Sequence, residues 1–299
     1  MNSYVEFAIG VVFYNPTDEE VLKVKDYSEI VPRVYIYDNT EENPNPLCLI
    51  NLKQDEYTYI ANNKNDGIAV ALNKLCNLAK KDGYKYLLLL DQDSIFKIED
   101  IRKMFQEIRN HASKDIGIYT PEIHYMKGNG EIRARTVQTK PSTVFSEISW
   151  AITSGSVVSL EVYSQSSGFD EFLFIDRVDY EYCVQLRKLG FKTVRISGAI
   201  LYQFLGETQG GIFKFSGHNP IRHYYIFRNR LYLVQKYKEN FNGIKKVAYL
   251  GLTITRHLAL VLICESRKTE KFKAIKVAYR DYKKGKMGKY DPENSRELA

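Results

Sequence analysis

The 299-residue sequence lacks any uninterrupted apolar run of the roughly 20 residues that a membrane-spanning helix requires. Its longest candidate, VAYLGLTITRHLALVLIC (247–264), carries Arg256 and His257 near its middle, so no span is expected. Met1 to Glu6 is polar and the AIGVVFY that follows is too short for a secretory leader, which predicts no cleaved signal. The four cysteines (Cys48, Cys76, Cys183, Cys264) are scattered, with neither CxxC nor zinc spacing, as expected of reduced thiols in a cytoplasmic protein. No GxGxxG follows the first apolar strand, which argues against a dinucleotide-dependent oxidoreductase. AIGVVFYNPTDEE has neither the glycines nor the basic residues of a triphosphate-gripping loop, so a nucleotidyltransferase is disfavoured. Helix-turn-helix, zinc-finger and RNP patterns are missing, so nucleic acid is not an expected partner.

What is present is a core and a puzzle. A hydrophobic content of 44% is ample for a large domain or two small ones. In KYLLLLDQDSIF (85–96) four leucines end in two aspartates one residue apart. The leucine run reads as a strand covered on both faces, and ligands in open α/β sheets sit at the carboxyl ends of such strands. One aspartate alone is equally explained as a cap for a helix beginning near Ile98. Two carboxylates, Asp91 and Asp93, suit a hard divalent cation better, because such ions prefer oxygen ligands.

Around this run the first third alternates elements. AIGVVFY, VYIYD and YTYIA read as strands ending at turn formers (Asn15-Pro16, Asp38-Asn39, Asn62-Asn63). In 67–81, Ile68, Ala71, Leu72, Leu75, Leu78 and Ala79 have helical spacing, and a helix is expected from Ile98 to about His111. This alternation predicts a mostly parallel sheet flanked by helices. The second third is more strand-like (IGIYTPEIHYM, EIRARTV, ITSGSVVSL), with a helix from about Val178 to Leu189 leading into FKTVRIS. From Asn219 onward two or three helices are expected, and Arg267–Lys289 holds ten Lys/Arg against two Asp/Glu.

A second acidic cluster lies in FDEFLFIDRVDYEYCVQLRKLGF (169–191), with Asp170, Glu171, Asp176, Asp179 and Glu181. Asp179 and Glu181 fall in the first helical turn, where acids also complement the helix dipole, and Leu186, Leu189 and Tyr182 are expected on the apolar face. So many carboxylates after the apolar Phe172–Ile175 patch make one of them a candidate general base.

In order, the segments VVFYNP, YDNT, NDGIAVALN, LLLLDQDS, TSGSVVS, GFDEFLFIDRVDYEYC and YYIFRNRLYL make the chain resemble the inverting family-2 glycosyltransferases of GT-A fold. Within them it is most similar to bacterial cell-surface polysaccharide rhamnosyltransferases. The resemblance runs from about Ile9 to Tyr232. It implies that Asp91-Gln92-Asp93 is a DxD motif whose last aspartate binds Mg2+ or Mn2+ bridging the donor diphosphate. It implies base contact by Asp38, and donor-site roles for Asn65, Gly67, Asn73 and Arg228. Asp179 aligns with the catalytic base, while Asp176, Glu181, Ser154 and Gly155 support the acceptor side. Gln203 stands where many relatives place a histidine metal ligand; it and His218 are further candidate ligands. Gln185 replaces a common arginine, with Arg187 nearby. The implied organisation is a catalytic domain over 1–217, its nucleotide half about 1–115 and its acceptor half about 116–217, then a helical, basic, membrane-proximal region over 218–299. The implied activity is transfer of L-rhamnose from dTDP-β-L-rhamnose, or of a hexose from a UDP-sugar, to a glycan or lipid-linked glycan at the inner face of the membrane. A homodimer, or a non-catalytic sugar-binding role on the same fold, are the remaining alternatives.

Overall fold

The computed structural model describes residues 4–44, 56–126, 131–136, 144–204, 208–209, 215–216, 218–240 and 243–291, with side chains left aside at 133–135, 208–216, 240 and 243–247. The chain divides into two compact units, one of Met1–Asp170 with Val178–Phe204, the other of Glu171–Arg177 with Leu205–Ala299. The sequence places a boundary at 217; the units part at Phe204, and the short segment 171–177 folds with the helical unit.

The first unit is a twisted mixed sheet with helices on its faces. Its elements are β1 (Phe7–Phe13), α1 (Asp18–Ser28), β2 (Val34–Asp38), β3 (Tyr57–Ala61), α2 (Ile68–Lys81), β4 (Tyr86–Asp91), β5 (Ile95–Phe96) and α3 (Ile98–His111). There follow β6 (Ile116–Met126), β7 (Ile132–Arg135), β8 (Phe145–Ile148), β9 (Val157–Ser159), a helical turn α4 (Leu160–Tyr163), α5 (Val178–Lys188) and β10 (Lys192–Phe204). The sheet order is β3-β2-β1-β4-β9-β6-β10-β5, with β7 on β6 and β8 on β10. The first four strands run parallel, as do β6 and β10. Between those two parallel groups β9 is wedged antiparallel to both β4 and β6. Where ITSGSVVSL reads as one strand, Val157–Ser159 alone pairs, because Ser159 caps the turn that follows by accepting the Val162 N–H.

The leucine strand is central, its four leucines buried between β1 and β9. The helix after it starts at Ile98 with Lys97 as its capping residue, so neither Asp91 nor Asp93 caps it. α1 has no expectation behind it. Its mean hydropathy is low, and its signal is the reciprocal capping box of Thr17 and Glu20. On α5, Tyr182 and Leu186 are fully buried as expected, but Leu189 is 49% exposed, one residue past the helix end.

The second unit contains a two-stranded ribbon, β11 (Thr208–Gln209) with β12 (Phe215–Ser216), and the helices α6 (Pro220–Lys236), α7 (Gly243–Cys264) and α8 (Lys268–Lys283). Phe174, Tyr224, Tyr225, Phe227, Leu231 and Val261 form its core with Ala274, Ile275, Val277 and Ala278 of α8. The basic run is therefore half a packed helix: its apolar stripe is buried, Lys271 is buried against Glu265, and the other lysines of α8 face outward.

Candidate active site

Strand periodicity delivers Asp91 to the end of β4, beside Val12 of β1. The turn 153–156 closes over that end: Gly155 N–H donates to Leu89 O (2.7 Å), Leu89 N–H to Ser156 O (2.9 Å) and Asp91 N–H to Ser154 Oγ (3.0 Å). Gly155 has φ +76°, and a Cβ there would meet Leu201 at 2.8 Å, so the turn requires glycine. Buried Ser154 also shares a 2.6 Å hydrogen bond with Ser94. The middle residue of DQD ties the neighbouring loop: Gln92 Oε1 accepts the Tyr14 N–H at 2.7 Å and its Nε2 donates to Tyr14 O and Glu20.

The electrostatics at this strand end are unbalanced. Burial, with the like charges of Asp93 and Asp179 beside it, pushes the half-buried Asp91 carboxyl up to about 7. Asp93 is solvent-accessible as a residue, yet the density of protein around its carboxyl, with Glu20 nearby, holds it above the usual range. The charge of Asp179 reaches Asp91 and also the phenol of Tyr125. Asp179 occupies the first turn of α5, where the helix dipole favours the anion, and its Oδ1 accepts the Tyr180 N–H at 2.7 Å. Glu181, on the same turn, is fully buried.

A divalent cation fits this surplus of negative charge. β5 runs antiparallel to β10 with Tyr202 opposite Ile95, which carries Gln203 alongside the DQD turn, and Gln203 Oε1 is a buried carbonyl oxygen with no hydrogen-bond partner. Among the described residues no group of three or more His, Cys, Asp or Glu side chains gathers closely enough to hold a metal by itself. His218 sits in the second unit, its ring 5.9 Å from that of His223 and its pKa lowered, first by burial.

The donor-side residues divide. Asp38 is buried at the end of β2, accepting the Thr40 N–H (2.8 Å) and the Tyr59 hydroxyl (2.7 Å). Asn65 Oδ1 accepts the Gly67 N–H at 3.0 Å, and Gly67, at φ +87°, opens α2. Asn73 is occupied otherwise: its amide donates to Phe169 O (2.9 Å) and accepts from Phe169 N–H (2.8 Å), pinning the loop before the acidic cluster. Gln185 secures the same loop through Ser167 N–H (2.7 Å) and Gly168 O (3.1 Å).

Arg228 does not line a crevice in its unit. It is fully buried, donating to Gly288 O (2.9 Å), the Tyr224 hydroxyl (3.1 Å) and Asn229 Oδ1 (3.1 Å), with the Tyr224 and Tyr225 rings about its guanidinium. Asn229, with no sequence expectation behind it, donates to three carbonyls, Leu173 O (2.9 Å), Ile175 O (2.8 Å) and Asp176 O (3.0 Å). Those contacts hold a segment in which Phe174, Asp176 and Arg177 all have positive φ. Asp176 Oδ1 accepts from Arg222 at 3.4 Å, and its Oδ2 is buried without a partner.

A parallel half-sheet with carboxylates gathered at its strand ends, flanked by helices, defines the fold of a GT-A-like sugar transferase. Residues 9–152 match the model of glycosyl transferase family 2, so the chain carries a glycosyl transferase family 2 domain, and glycosyl transfer is the activity that domain performs. Over 236 residues, 75% of this chain and 78% of the relative, it is 29% identical to the dTDP-rhamnosyl transferase RfbF of Shigella flexneri. Among solved structures it is similar in fold to S. aureus TarS residues 1–349 in complex with UDP-GlcNAc, with TM-score 0.59 and 14% identity over 92% of this chain and 80% of that one. It is also similar to GalNAc-T7 with UDP, GalNAc and Mn2+, with TM-score 0.55 and 11% identity over 79% of this chain; it spans about half, 48%, of that protein's length.

Proposed function

We propose that this glycosyltransferase moves L-rhamnose from dTDP-β-L-rhamnose to a glycan hydroxyl with inversion at the anomeric carbon. The observation that carries the reading is the gathering of carboxylates at one strand end, where the charges of Asp93 and Asp179 act on the buried carboxyl of Asp91. Asp38, Asn65 and Gly67 form the nucleoside side of the donor site. Asp93, with Asp91 and the carbonyl of Gln203, would hold Mg2+ or Mn2+, which when bound supplies Lewis-acid stabilisation of the diphosphate leaving group. Asp179, in the first turn of α5, accepts the proton of the attacking hydroxyl as the new bond forms. Glu181 and Ser154 keep Asp179 and Asp91 in place. The Shigella relative supports dTDP-rhamnose over a UDP-hexose as donor. The test is release of dTDP or UDP from a panel of nucleotide sugars with and without Mn2+; strongest turnover of a UDP-sugar would overturn the donor assignment, and no release from any donor would favour a non-catalytic sugar-binding role.

The acceptor in this reading is a lipid-linked glycan of cell-surface polysaccharide, such as capsule or cell wall, at the cytoplasmic face of the membrane. No described helix is long and apolar enough to cross a membrane. Leu252, Leu262 and Ile263 of α7 are exposed, and so are Lys268, Lys273 and Lys276 of α8, a combination suited to peripheral binding at an anionic surface or, alternatively, to a homodimer contact. Salt-reversible sedimentation with phosphatidylglycerol vesicles is the expected result, and self-association without vesicle binding would replace it with the dimer.

A further inference from the structure

A cavity of about 360 Å3 opens in the catalytic unit between β6, β10 and the segment after β8. That volume lies within the range of small-ligand sites. Its walls carry Thr120, Tyr125, Trp150 and Arg195. None of them belongs to the carboxylate cluster or the nucleoside side.

The register of α5 ties this cavity to Asp179. Asp179, Cys183 and Arg187 are spaced i, i+4, i+8 and so share one face of the helix. Arg187 donates to Ser149 O, and Cys183 Sγ accepts the Ala151 N–H at 3.5 Å and donates to Ala151 O at 3.8 Å. That face therefore runs along the cavity wall 149–151 in the opposite chain direction, and its next step brings Asp179 toward 153–154, where Ser154 holds Asp91. From the other wall, Tyr125 feels the Asp179 charge. The cavity wall thus packs along the face of α5 that carries Asp179.

Its chemistry is that of a sugar platform. Trp150, the sole tryptophan of the chain, is 46% exposed. A pyranose presents a face of C–H bonds to such a ring and turns its hydroxyls outward. Thr120 is 1% exposed, its hydroxyl buried without a partner at the cavity wall, and Arg195 is half-buried beside Glu122 with donors for ring hydroxyls. A dry apolar ligand would leave the Thr120 hydroxyl unsatisfied; a polyol would not.

We propose that this cavity seats the acceptor sugar ring whose hydroxyl is attacked, with its apolar face on Trp150 and its hydroxyls read by Thr120 and Arg195. This rests on the transfer reading above and names the acceptor side of the same site. The single tryptophan makes the protein its own reporter. Intact enzyme is titrated with octyl glycosides of rhamnose, glucose, galactose and N-acetylglucosamine, following Trp150 emission, and the same glycosides are scored as acceptors with dTDP-rhamnose. The expected result is a saturable emission change with the glycosides that accept. Trp150→Ala is expected to raise the acceptor KM about tenfold while changing the donor KM less than about twofold, and Trp150→Phe to recover most of it. Transfer to a glycoside that leaves Trp150 emission and the Trp150→Ala acceptor KM unchanged would overturn the cavity assignment and leave the transfer reading intact. Emission changes without transfer from any donor would uphold the cavity as a sugar site and remove the transfer reading. Neither response would count against both.

Discussion

The carboxylates at the ends of β4 and α5 and the charged side chains enclosed by α6, α7 and α8 stand in opposite electrostatic conditions. At the strand end burial raises the Asp91 carboxyl, and the like charges of Asp93 and Asp179 raise it further. In the helical unit a set of buried charges is held by hydrogen-bonded partners. Glu265 accepts from His223 at 2.8 Å and from Lys271 at 2.5 Å, His223 shares a 2.8 Å hydrogen bond with His257, and Tyr224 donates to Asp281 at 2.9 Å. Burying a charge is costly unless it is paired, so a folded chain keeps unpaired buried charge where a ligand will complete it. Partnered charge, by the same reasoning, marks scaffold. Arg228 falls on the scaffold side, although its motif resembles a donor-site one.

The sharpest way to break this contrast is to neutralise one member of each set. Asp179→Asn keeps the shape and removes the proton acceptor, and transfer is expected to fall by about two to four orders of magnitude with donor binding retained. Asp93→Ala is expected instead to abolish the Mn2+ dependence of donor binding, measured by nucleotide titration with and without metal. Near-normal transfer by Asp179→Asn, with loss on Glu181→Gln or Asp176→Asn, would move the base to a different carboxylate.

The scaffold side is tested at Asn229. Removing its amide in Asn229→Ala leaves three buried carbonyls and the Arg228 guanidinium without that partner, in a segment already strained by three non-glycine residues at positive φ. A loss of about 3 kcal/mol in urea unfolding is expected. Arg228→Lys is expected to lose stability too, since an ammonium cannot span Gly288 O, Tyr224 and Asn229 at once. Wild-type unfolding with lost donor affinity in Arg228→Lys would return that arginine to the donor site.

The contrast also explains what the sequence made legible. Strand β4, helices α2 and α3 and the aspartate pair follow from local patterns: a short apolar run, helical spacing, and acids at a strand end. α1 escaped because its polar residues mute the periodicity, although the Thr17–Glu20 box was readable. The role of Asn229 was not readable, because its partners lie more than 50 residues away and are backbone atoms that carry no sequence signature. The cavity at Trp150 was hidden for the same reason: β6, β10 and the 149–152 segment meet only through sheet pairing.

The smallest expected effect is the pH response of the paired histidines. Burial first, then Arg230 and His223, lower the His257 pKa from 6.5 to about 4. Burial lowers that of His223, against the pull of Glu265. His218, Arg222, Lys271 and Asp176 complete the ionisable groups around them. A histidine whose pKa is depressed on folding binds a proton more readily in the unfolded chain. Stability is therefore complete above pH 6.5 and is lost as pH falls from there toward 4. Burial opposes ionisation of Glu265, but its hydrogen bond to Lys271 and the charge of His223 outweigh it and hold its pKa low, so its contribution too is lost only on acidification. For His257 alone the loss at pH 5.5 is about 1.4 kcal/mol. Thermal unfolding at pH 7.5, 6.5 and 5.5 is expected to show the helical unit melting progressively earlier, with His257→Gln flattening the response. A melting temperature that is level across this range would mean that the histidines are not held neutral by their partners, and the helical unit would then share the unbalanced electrostatics of the strand end.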